Sequence, residues 1–326
     1  QTAFIGKWHL DHPDDVDTWA IGHGFDLAIQ EQWTARFGGR EFQPNKLWVN
    51  GDKEFISYDY KQYDCKDHLR TDLALDFLKN KKKEEPFFLF MSYRAPHSFE
   101  GPIRDTLHYK EEDWPNIEKA HAAKVTLLDK HIGRLIEKLK NSGDLENTLI
   151  LFTSDNGPHF AKNGHDLEFF DSNGVLKGGK RDLYEGGIRV PLIAYWKDKI
   201  KPGIISSHIA GFQDIMPTFS DIIGYHKLVH LDGISFLPTL ISDYKKQNVH
   251  DYLNWEFQLS GWFQSIPNGG FRQSTRMGDW KAVRYNLQSD IELYNLKDDK
   301  SEMNNLANLY PDVIKRADIV FKFSRF

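Results

Sequence analysis

Cysteine is almost absent. Cys65 stands alone among 326 residues, which excludes an intrachain disulfide, and a chain of this length can bury enough core to do without one. No apolar run is long enough to span a bilayer, and no internal repeat or low-complexity tract appears. There is no excess of positive charge either. Lys and Arg number 42 against 47 Asp and Glu, a formal net charge of −5, which argues against a sequence-independent nucleic-acid binder. An initiator Met and a targeting segment are also lacking: Gln1-Thr2-Ala3-Phe4-Ile5 runs directly into what reads as a strand, so the sequence is expected to be part of a longer chain. Oligomeric state is not legible.

What is there is ordinary globular material, 40% hydrophobic and 27% charged, sufficient for one large domain and a smaller one. The stretch from Thr148 to Arg189 carries the densest chemistry. Leu149-Ile150-Leu151-Phe152 is a short apolar run that ends abruptly in Ser154-Asp155-Asn156-Gly157, the pattern of a central parallel strand buried on both faces. Ligands bind beyond the carboxyl ends of such strands. Asp155 and Asn156 offer a carboxylate and an amide carbonyl, the oxygen donors that Ca²⁺ or Mg²⁺ prefers. The same residues also make a common turn, and alone they favour that reading. Lys180 follows in Gly178-Gly179-Lys180, where flanking glycines allow close backbone approach and the ammonium suits an anion.

Elsewhere, residues 1–10 read as a strand in which Lys7 and His9 alternate onto one face and Trp8 onto the other. Residues 11–64 are polar, aromatic and without periodicity, apart from a hairpin at Asn50-Gly51; Trp33, Arg36 and Arg40 are candidates for a substrate mouth, with ordinary surface the commoner role. Leu69, Leu73 and Leu78 predict a helix over 68–83, and Pro86–Met91 a buried strand, with His97 just past its end. The longest helical pattern spans 116–142, with Val125, Leu128, Ile132, Leu135, Ile136 and Leu139 as its stripe and Gly143 as its stop. With the strand at 148–154 it predicts a right-handed crossover. A strand over 191–196 and a helix over 213–224 follow. After about Ser242 the pattern changes to antiparallel strands near 252–257, 275–284 and 291–296 and a closing helix over 301–321. The expected division is 1–243 and 244–326.

Taken together, GKWHL at 6–10, APH at 95–97, SDNG at 154–157 and GGKRDLYEGGIRVP at 178–191 resemble the sulfatases, in particular the arylsulfatase-like branch of the alkaline phosphatase superfamily. DGISFLPTL at 232–240, RMGDWKAVR at 276–284 and ELYNLKDDKSEMNNLA at 292–307 resemble later segments of the same family. The resemblance covers nearly the whole chain. It implies an α/β fold with a mixed, mostly parallel central sheet flanked by helices, and a smaller C-terminal α+β subdomain on an antiparallel sheet. It implies that Asp155 and Asn156 bind a divalent cation, usually Ca²⁺ with Mg²⁺ an option, and that Lys7 and Lys180 bind sulfate. His9 would assist the nucleophile's hydroxyl, and His97 would protonate the leaving oxygen. His159 and His165 are candidates for contact with the leaving group. The substrate would be a small or oligosaccharide sulfate ester, and the compartment periplasmic or secreted.

The family's nucleophile is a formylglycine made from Cys or Ser in a C-x-P-S-R motif, and its metal site includes an Asp-Asp pair. Neither is found from GKWHL onward, and Cys65, in Tyr63-Asp64-Cys65-Lys66-Asp67, matches nothing in that motif. Both are expected upstream, so residues 1–326 alone are expected to be inactive. Two other readings stay open: a phosphodiesterase or phosphonate monoester hydrolase of the same superfamily, and a non-catalytic relative that binds sulfated glycans.

Overall fold

The computed structural model describes residues 1–12, 15–31, 46–52, 55–59, 61–97, 107–159, 164–227, 230–258 and 270–324. Trp33, Arg36 and Arg40 lie outside them. By packing, the chain forms two compact units, Gln1–Glu146 with Ala161–Asp166, and Asn147–Phe160 with Leu167–Phe326.

The first unit is built on a mixed sheet of β1 (Thr2–Lys7), β2 (Leu27–Glu31), β3 (Lys46–Val49), β4 (Phe55–Ser57) and β5 (Phe88–Ser92), in the order β4-β3-β2-β1-β5. Strand β1 sits between two parallel neighbours, with Gly6 opposite Gln30 on one side and Ser92 on the other. That position explains the uninterrupted burial of Ala3, Phe4 and Ile5, since a strand covered on both faces has no solvent side to alternate towards. Strand β2 falls in the stretch that sequence periodicity leaves irregular. Its Gln30 and Glu31 are buried, and two buried polar residues in a five-residue strand erase the apolar signature. Asn50 and Gly51 both have positive φ, 48° and 76°, in the turn after β3, as a tight reversal requires.

Helices α1 (Lys66–Asn80) and α2 (Asn116–Ser142) pack on each other in this unit. Helix α2 ends, as expected, at Gly143, whose φ of 79° is the left-handed cap conformation that glycine adopts freely. Its buried stripe is the expected one only in part: Leu139 is buried and Leu135 packs on the core. Ala123, Lys124, Leu127 and His131 face inward, whereas Val125 and Ile136 are exposed. Polar partners on α1 (the His68 ring on His131, and Asp72 for Arg134) turn the helix towards them.

In the second unit β6 (Ile150–Thr153) pairs with β7 (Leu192–Tyr195), and the pairing is antiparallel, Ile150 opposite Tyr195. This corrects the expectation of a central parallel strand buried on both faces. Phe152 and Ile193 are 38% and 61% exposed, and no β5–β6 ladder forms a crossover among the described residues. A short apolar run signals a strand without fixing its direction. Here the chain reverses through 154–191 and returns alongside.

Helices α3 (Glu185–Ile188), α4 (Ile215–Ile223) and α5 (Leu237–Leu240) are followed by a four-stranded antiparallel sheet of β8 (Leu253–Phe257), β9 (Arg272–Met277), β10 (Trp280–Arg284) and β11 (Glu292–Asn295). Helix α6 (Pro311–Phe323) covers it, packing Ala317, Val320 and Phe321 on Met277, Ala282 and Leu293. The final helix starts ten residues later than expected. Before it, the Asp299 carboxylate accepts from the amides of Met303 and Asn304, and Asn305 Oδ1 accepts from those of Leu293 and Ala307. Such local side-chain bonds compete with a helix, and Pro311 fits the first helical position. Among the described residues no helix is long and apolar enough to cross a membrane.

Gly6 is the tightest point of the central ladder. It has φ +128°, and a Cβ there would lie 2.0 Å from the Ser92 carbonyl oxygen. Gly6→Ala is expected to destabilise the first unit by at least about 2 kcal/mol, read as a lower midpoint of urea unfolding.

Candidate active site

In the first unit, three of the sequence-predicted residues emerge at the carboxyl end of adjacent parallel strands. Lys7 closes β1, and Ser92 at the end of β5 donates from Oγ to the Lys7 carbonyl at 2.6 Å. Trp8 is anchored by its ring on Phe4, 5.0 Å between centroids, and by Nε1 donating to the Thr18 carbonyl at 2.8 Å. His9 then takes φ 59° and is exposed. Strand geometry has ended by that point, so the expected alternation of Lys7 and His9 onto one face does not apply.

His97 is reached from β5 through Tyr93-Arg94-Ala95-Pro96, and buried charge fixes this path. The Asp67 carboxylate accepts from the Arg94 and Ala95 amides at 3.3 and 3.0 Å. Arg94 Nη1 pairs with Glu31 Oε2 at 3.0 Å, and Arg70 pairs with both Glu31 and Asp67. These four side chains are at most 6% exposed. The His97 amide donates to the Arg94 carbonyl at 2.8 Å, and buried Lys124 donates to the His97 carbonyl at 3.1 Å. Buried like this, each carboxylate needs its partners, because an uncompensated charge in the interior is far more costly than one in water.

In the second unit, the turn after β6 and the 178–187 segment are clasped together. The Gly157 amide donates to the Gly187 carbonyl at 2.9 Å, and the Lys180 amide to the Pro158 carbonyl at 2.7 Å. A Cβ on Gly157 would lie 1.8 Å from the Gly186 carbonyl oxygen, one on Gly186 2.3 Å from that of Gly178, and one on Gly187 2.1 Å from that of Asp182. These glycines therefore serve segment-to-segment packing, where the sequence suggested backbone approach to an anion. The result sets Asp155 and Asn156 beside the segment that carries Lys180. Asp155 is exposed; Ser154 Oγ donates to the Asn156 carbonyl at 2.9 Å, and Asn156 Nδ2 donates to the Gly157 carbonyl at 2.8 Å. In kind, this carboxylate and amide suit Ca²⁺. In number they provide only part of the six to eight oxygens it takes.

His159 joins this group. Its Nε2 lies 3.4 Å from Arg181 Nη1, and burial, then the charges of Arg181 and Lys180, hold its pKa below the ordinary histidine value. Lys180 and Arg181, beside His159, gather positive charge suited to an anion. His165 belongs to the first unit and has a different setting. It is 7% exposed, bonded through Nδ1 to Glu118, and stacked on His121 at 3.7 Å. Its ring is committed to α2, unlike the substrate-facing ring the sequence suggested.

Sequence reasoning missed the charges behind these segments. Glu185, 3% exposed, receives Lys281 Nζ at 2.9 Å, Arg276 Nη1 at 3.2 Å and Arg189 Nη1 at 3.5 Å. Burial pushes its carboxyl up, but Lys281, Arg276 and Arg189 outweigh that and hold it below the usual range. The Glu185 amide donates to Glu302 Oε2 at 2.7 Å. The signals were present: Arg94 and Glu185 are charged residues set among apolar or glycine-rich neighbours, where a charge is seldom buried without a partner.

Comparison with known proteins places the chain in a family. The sulfatase family model matches residues 1–225, and a model described as N-sulphoglucosamine sulphohydrolase, C-terminal, matches residues 178–318. The chain belongs to the sulfatase family. It is 29% identical to an Escherichia coli protein named uncharacterized sulfatase YdeN, over 96% of this chain and 62% of that one. It is 28% identical to human N-acetylgalactosamine-6-sulfatase, over 74% and 46%, and 25% identical to N-acetylglucosamine-6-O-sulfatase of Bacteroides thetaiotaomicron, over 94% and 66%. The chain thus spans between about half and two thirds of the length of these relatives. Among solved structures it is similar to Ps i-CgsB in complex with k-i-k-neocarrahexaose, at a TM-score of 0.77 and 25% identity over 99% of this chain and 70% of that one. BT4656, solved with D-glucosamine-2-N,6-O-disulfate, gives a TM-score of 0.73 at 20% identity, covering 100% of this chain and 79% of that one, and shares the fold. The mixed α/β architecture with its C-terminal antiparallel sheet is that of the sulfatases.

Burial pushes the Glu302 carboxyl up to about 7, against the opposing charge of Lys281. A raised carboxyl pKa means the folded state holds its proton where the unfolded chain has lost it. The resulting stability is complete below about 4.5 and is lost as pH rises through about 7. Glu302→Gln keeps an acceptor for the Glu185 amide and removes the titration. The variant is expected to match the parent Tm at pH 5 and exceed it at pH 8, measured by thermal unfolding across that range.

Proposed function

We propose that this chain belongs to a sulfatase that hydrolyses sulfate esters of a carbohydrate outside the cytoplasm, in the periplasm or as a secreted enzyme. The observation that carries the reading is the clasp of Asp155-Asn156 to the Lys180 segment, with Arg181 and His159 beside it. It supports an anion held next to a hard cation. The printed names of the relatives, N-acetylgalactosamine-6-sulfatase and N-acetylglucosamine-6-O-sulfatase, and the neocarrahexaose bound to a similar structure, support a sugar as the leaving group.

In this reading Asp155 and Asn156 supply two of the oxygen ligands to Ca²⁺, or Mg²⁺ in its place. The bound ion supplies charge for the sulfate and nucleophile oxygens. Lys7 and Lys180 bind the sulfate. At about 4 Å and an effective dielectric of about 20, each lysine interacts with a sulfate oxygen by roughly 4 kcal/mol. If half of that is realised only in the transition state, the gain exceeds about tenfold in rate. His9 orients the nucleophile's hydroxyl, and His97 protonates the leaving oxygen, a contribution of about 10²–10⁴-fold. His159 contacts the sugar. The nucleophile, a formylglycine, comes from sequence outside residues 1–326. Cys65, buried beside the start of α1, is a structural thiol.

Side-by-side kcat/KM on an aryl sulfate and the matching aryl phosphate, with the intact protein, tests the assignment. A sulfate preference is expected. A phosphate preference would favour the phosphodiesterase or phosphonate monoester hydrolase reading, and no turnover of either would favour a glycan-binding relative. Lys7→Ala and Lys180→Ala are each expected to lower kcat/KM on the sulfate by at least about tenfold. His97→Ala is expected to slow poor leaving groups more than activated aryl sulfates.

A further inference from the structure

A cluster of metal-ligating side chains lies between α1 and α2, apart from every residue assigned above to sulfate, nucleophile or leaving group. Asp64, His68 and His131 each offer one ligand atom, and those atoms all lie within 4.8 Å of one another. Asp64 lies just before the N-cap of α1, His68 is in its first turn, and His131 projects from the middle of α2. The His68 and His131 rings stack at 4.7 Å, and the edge of Tyr63 closes one side at 5.3 Å from His68.

The second observation is His131 itself. Its residue is 0% exposed, and its Nε2 is buried with no hydrogen-bond partner. A buried ring nitrogen left without a partner is unusual in a native protein and asks for an explanation. Its Nδ1 lies 3.3 Å from Arg134 Nη1, so the nitrogen facing away from that guanidinium is the one without a bond.

We propose that Asp64, His68 and His131 form a binding site for a borderline divalent cation of the Zn²⁺ type, joining α1 to α2. Two imidazoles and one carboxylate are the donor set that zinc takes with three protein ligands, the fourth position being left to water. At Zn–N and Zn–O lengths of about 2.0–2.2 Å, tetrahedral ligand atoms lie roughly 3.4 Å apart. Closing from within 4.8 Å to that spacing requires side-chain rotation, for which Asp64 and His68 have room at the surface. His68 and Asp64 are 23% and 27% exposed, which gives the ion an entry path and the fourth position its water.

The neighbouring charges allow this. Lys130 Nζ, 3.4 Å from Asp64, is on a side chain 57% exposed and free to swing into solvent. Arg134 is already held by Asp72 at 2.6 Å through its other nitrogen. As the side chains stand, Arg134 donates to His131 Nδ1 and the ring proton is on Nε2. Coordination through Nε2 moves that proton to Nδ1, so Arg134 must turn from the ring and rest on Asp72 alone. Asp72, 3.7 Å from His68 Nε2, is positioned to orient that ring from behind, while coordination through Nδ1 replaces the long bond that nitrogen accepts from the Asp64 amide at 3.4 Å. The same first turn of α1 carries Asp67, which holds the Arg94 and Ala95 amides, so an ion here stiffens the support of His97.

The test uses the intact protein, stripped with chelator and kept in excess Ca²⁺ so that oxygen-ligand sites are filled. Added Zn²⁺ is expected to bind one equivalent by calorimetry and, at about 100 times its Kd, to raise Tm by roughly 3 °C. Co²⁺ in its place is expected to give the visible absorption of a four-coordinate centre. Asp64→Asn and His68→Gln, both at partly exposed positions that tolerate the change, should abolish the Tm shift and the cobalt spectrum. No shift with Zn²⁺, or a shift that survives in the double variant, would overturn the site.

Discussion

A carboxylate that cannot reach water must be answered by charge and hydrogen bonds around it, and the first unit is organised by that requirement. Glu31 at the end of β2 and Asp67 in the first turn of α1 share Arg70, and each holds a different part of Arg94: Glu31 its guanidinium, Asp67 its amide. Two separate elements, β2 and α1, are thereby fixed to the segment that leads to His97. Removing one member of such a buried group typically costs about 3–5 kcal/mol, because the partner is left charged and unpaired. The cluster contributes less to net stability than to where things stand. Well-packed apolar side chains would fill the same space, but they would not take the Arg94 and Ala95 amides or set the direction in which the chain leaves β5.

The second unit solves a similar problem with a second carboxylate. Glu185 sits in the glycine-rich segment whose carbonyls press on Gly157, and its charge is answered by Lys281 and Arg276 from the C-terminal sheet. The small antiparallel sheet is therefore more than a covering layer. Through Glu185 it fixes the stretch that carries Lys180 and, one backbone bond further, the turn that carries Asp155 and Asn156. Apart from Lys7 and His9 at the end of β1, the residues assigned to chemistry are on turns, and charged groups buried behind the His97 and Lys180 segments hold them.

Much of this was legible in the sequence, and what was missed has physical causes. Helix α2 was readable to its last residue because a long amphipathic pattern and Gly143 agree. Strand β1 was readable because a chain buried on both faces has no polar positions to confuse it. The direction of β6 was not, since an apolar run reports burial rather than pairing. Strand β2 was hidden because Gln30 and Glu31 look like surface until Arg70 and Arg94 are placed against Glu31. Lys7, His97, Asp155, Asn156 and Lys180 were singled out because the motifs that carry them resemble those of the sulfatases. Glu31, Asp67, Glu185 and Glu302 were not, because their partners are up to 117 residues distant, and no local pattern records such a pair. His165 was misplaced by proximity along the chain: it follows the Asp155 turn in sequence but pairs with Glu118 on α2.

The claim on which most depends is that buried charge, more than local backbone preference, holds the His97 segment in place. Amide hydrogen exchange in the Asp67→Asn protein tests it directly. Faster exchange is expected at 93–97, with α2 and the β1–β2 ladder keeping their protection. Unchanged protection at 93–97, or a loss shared evenly by the whole unit, would contradict the account.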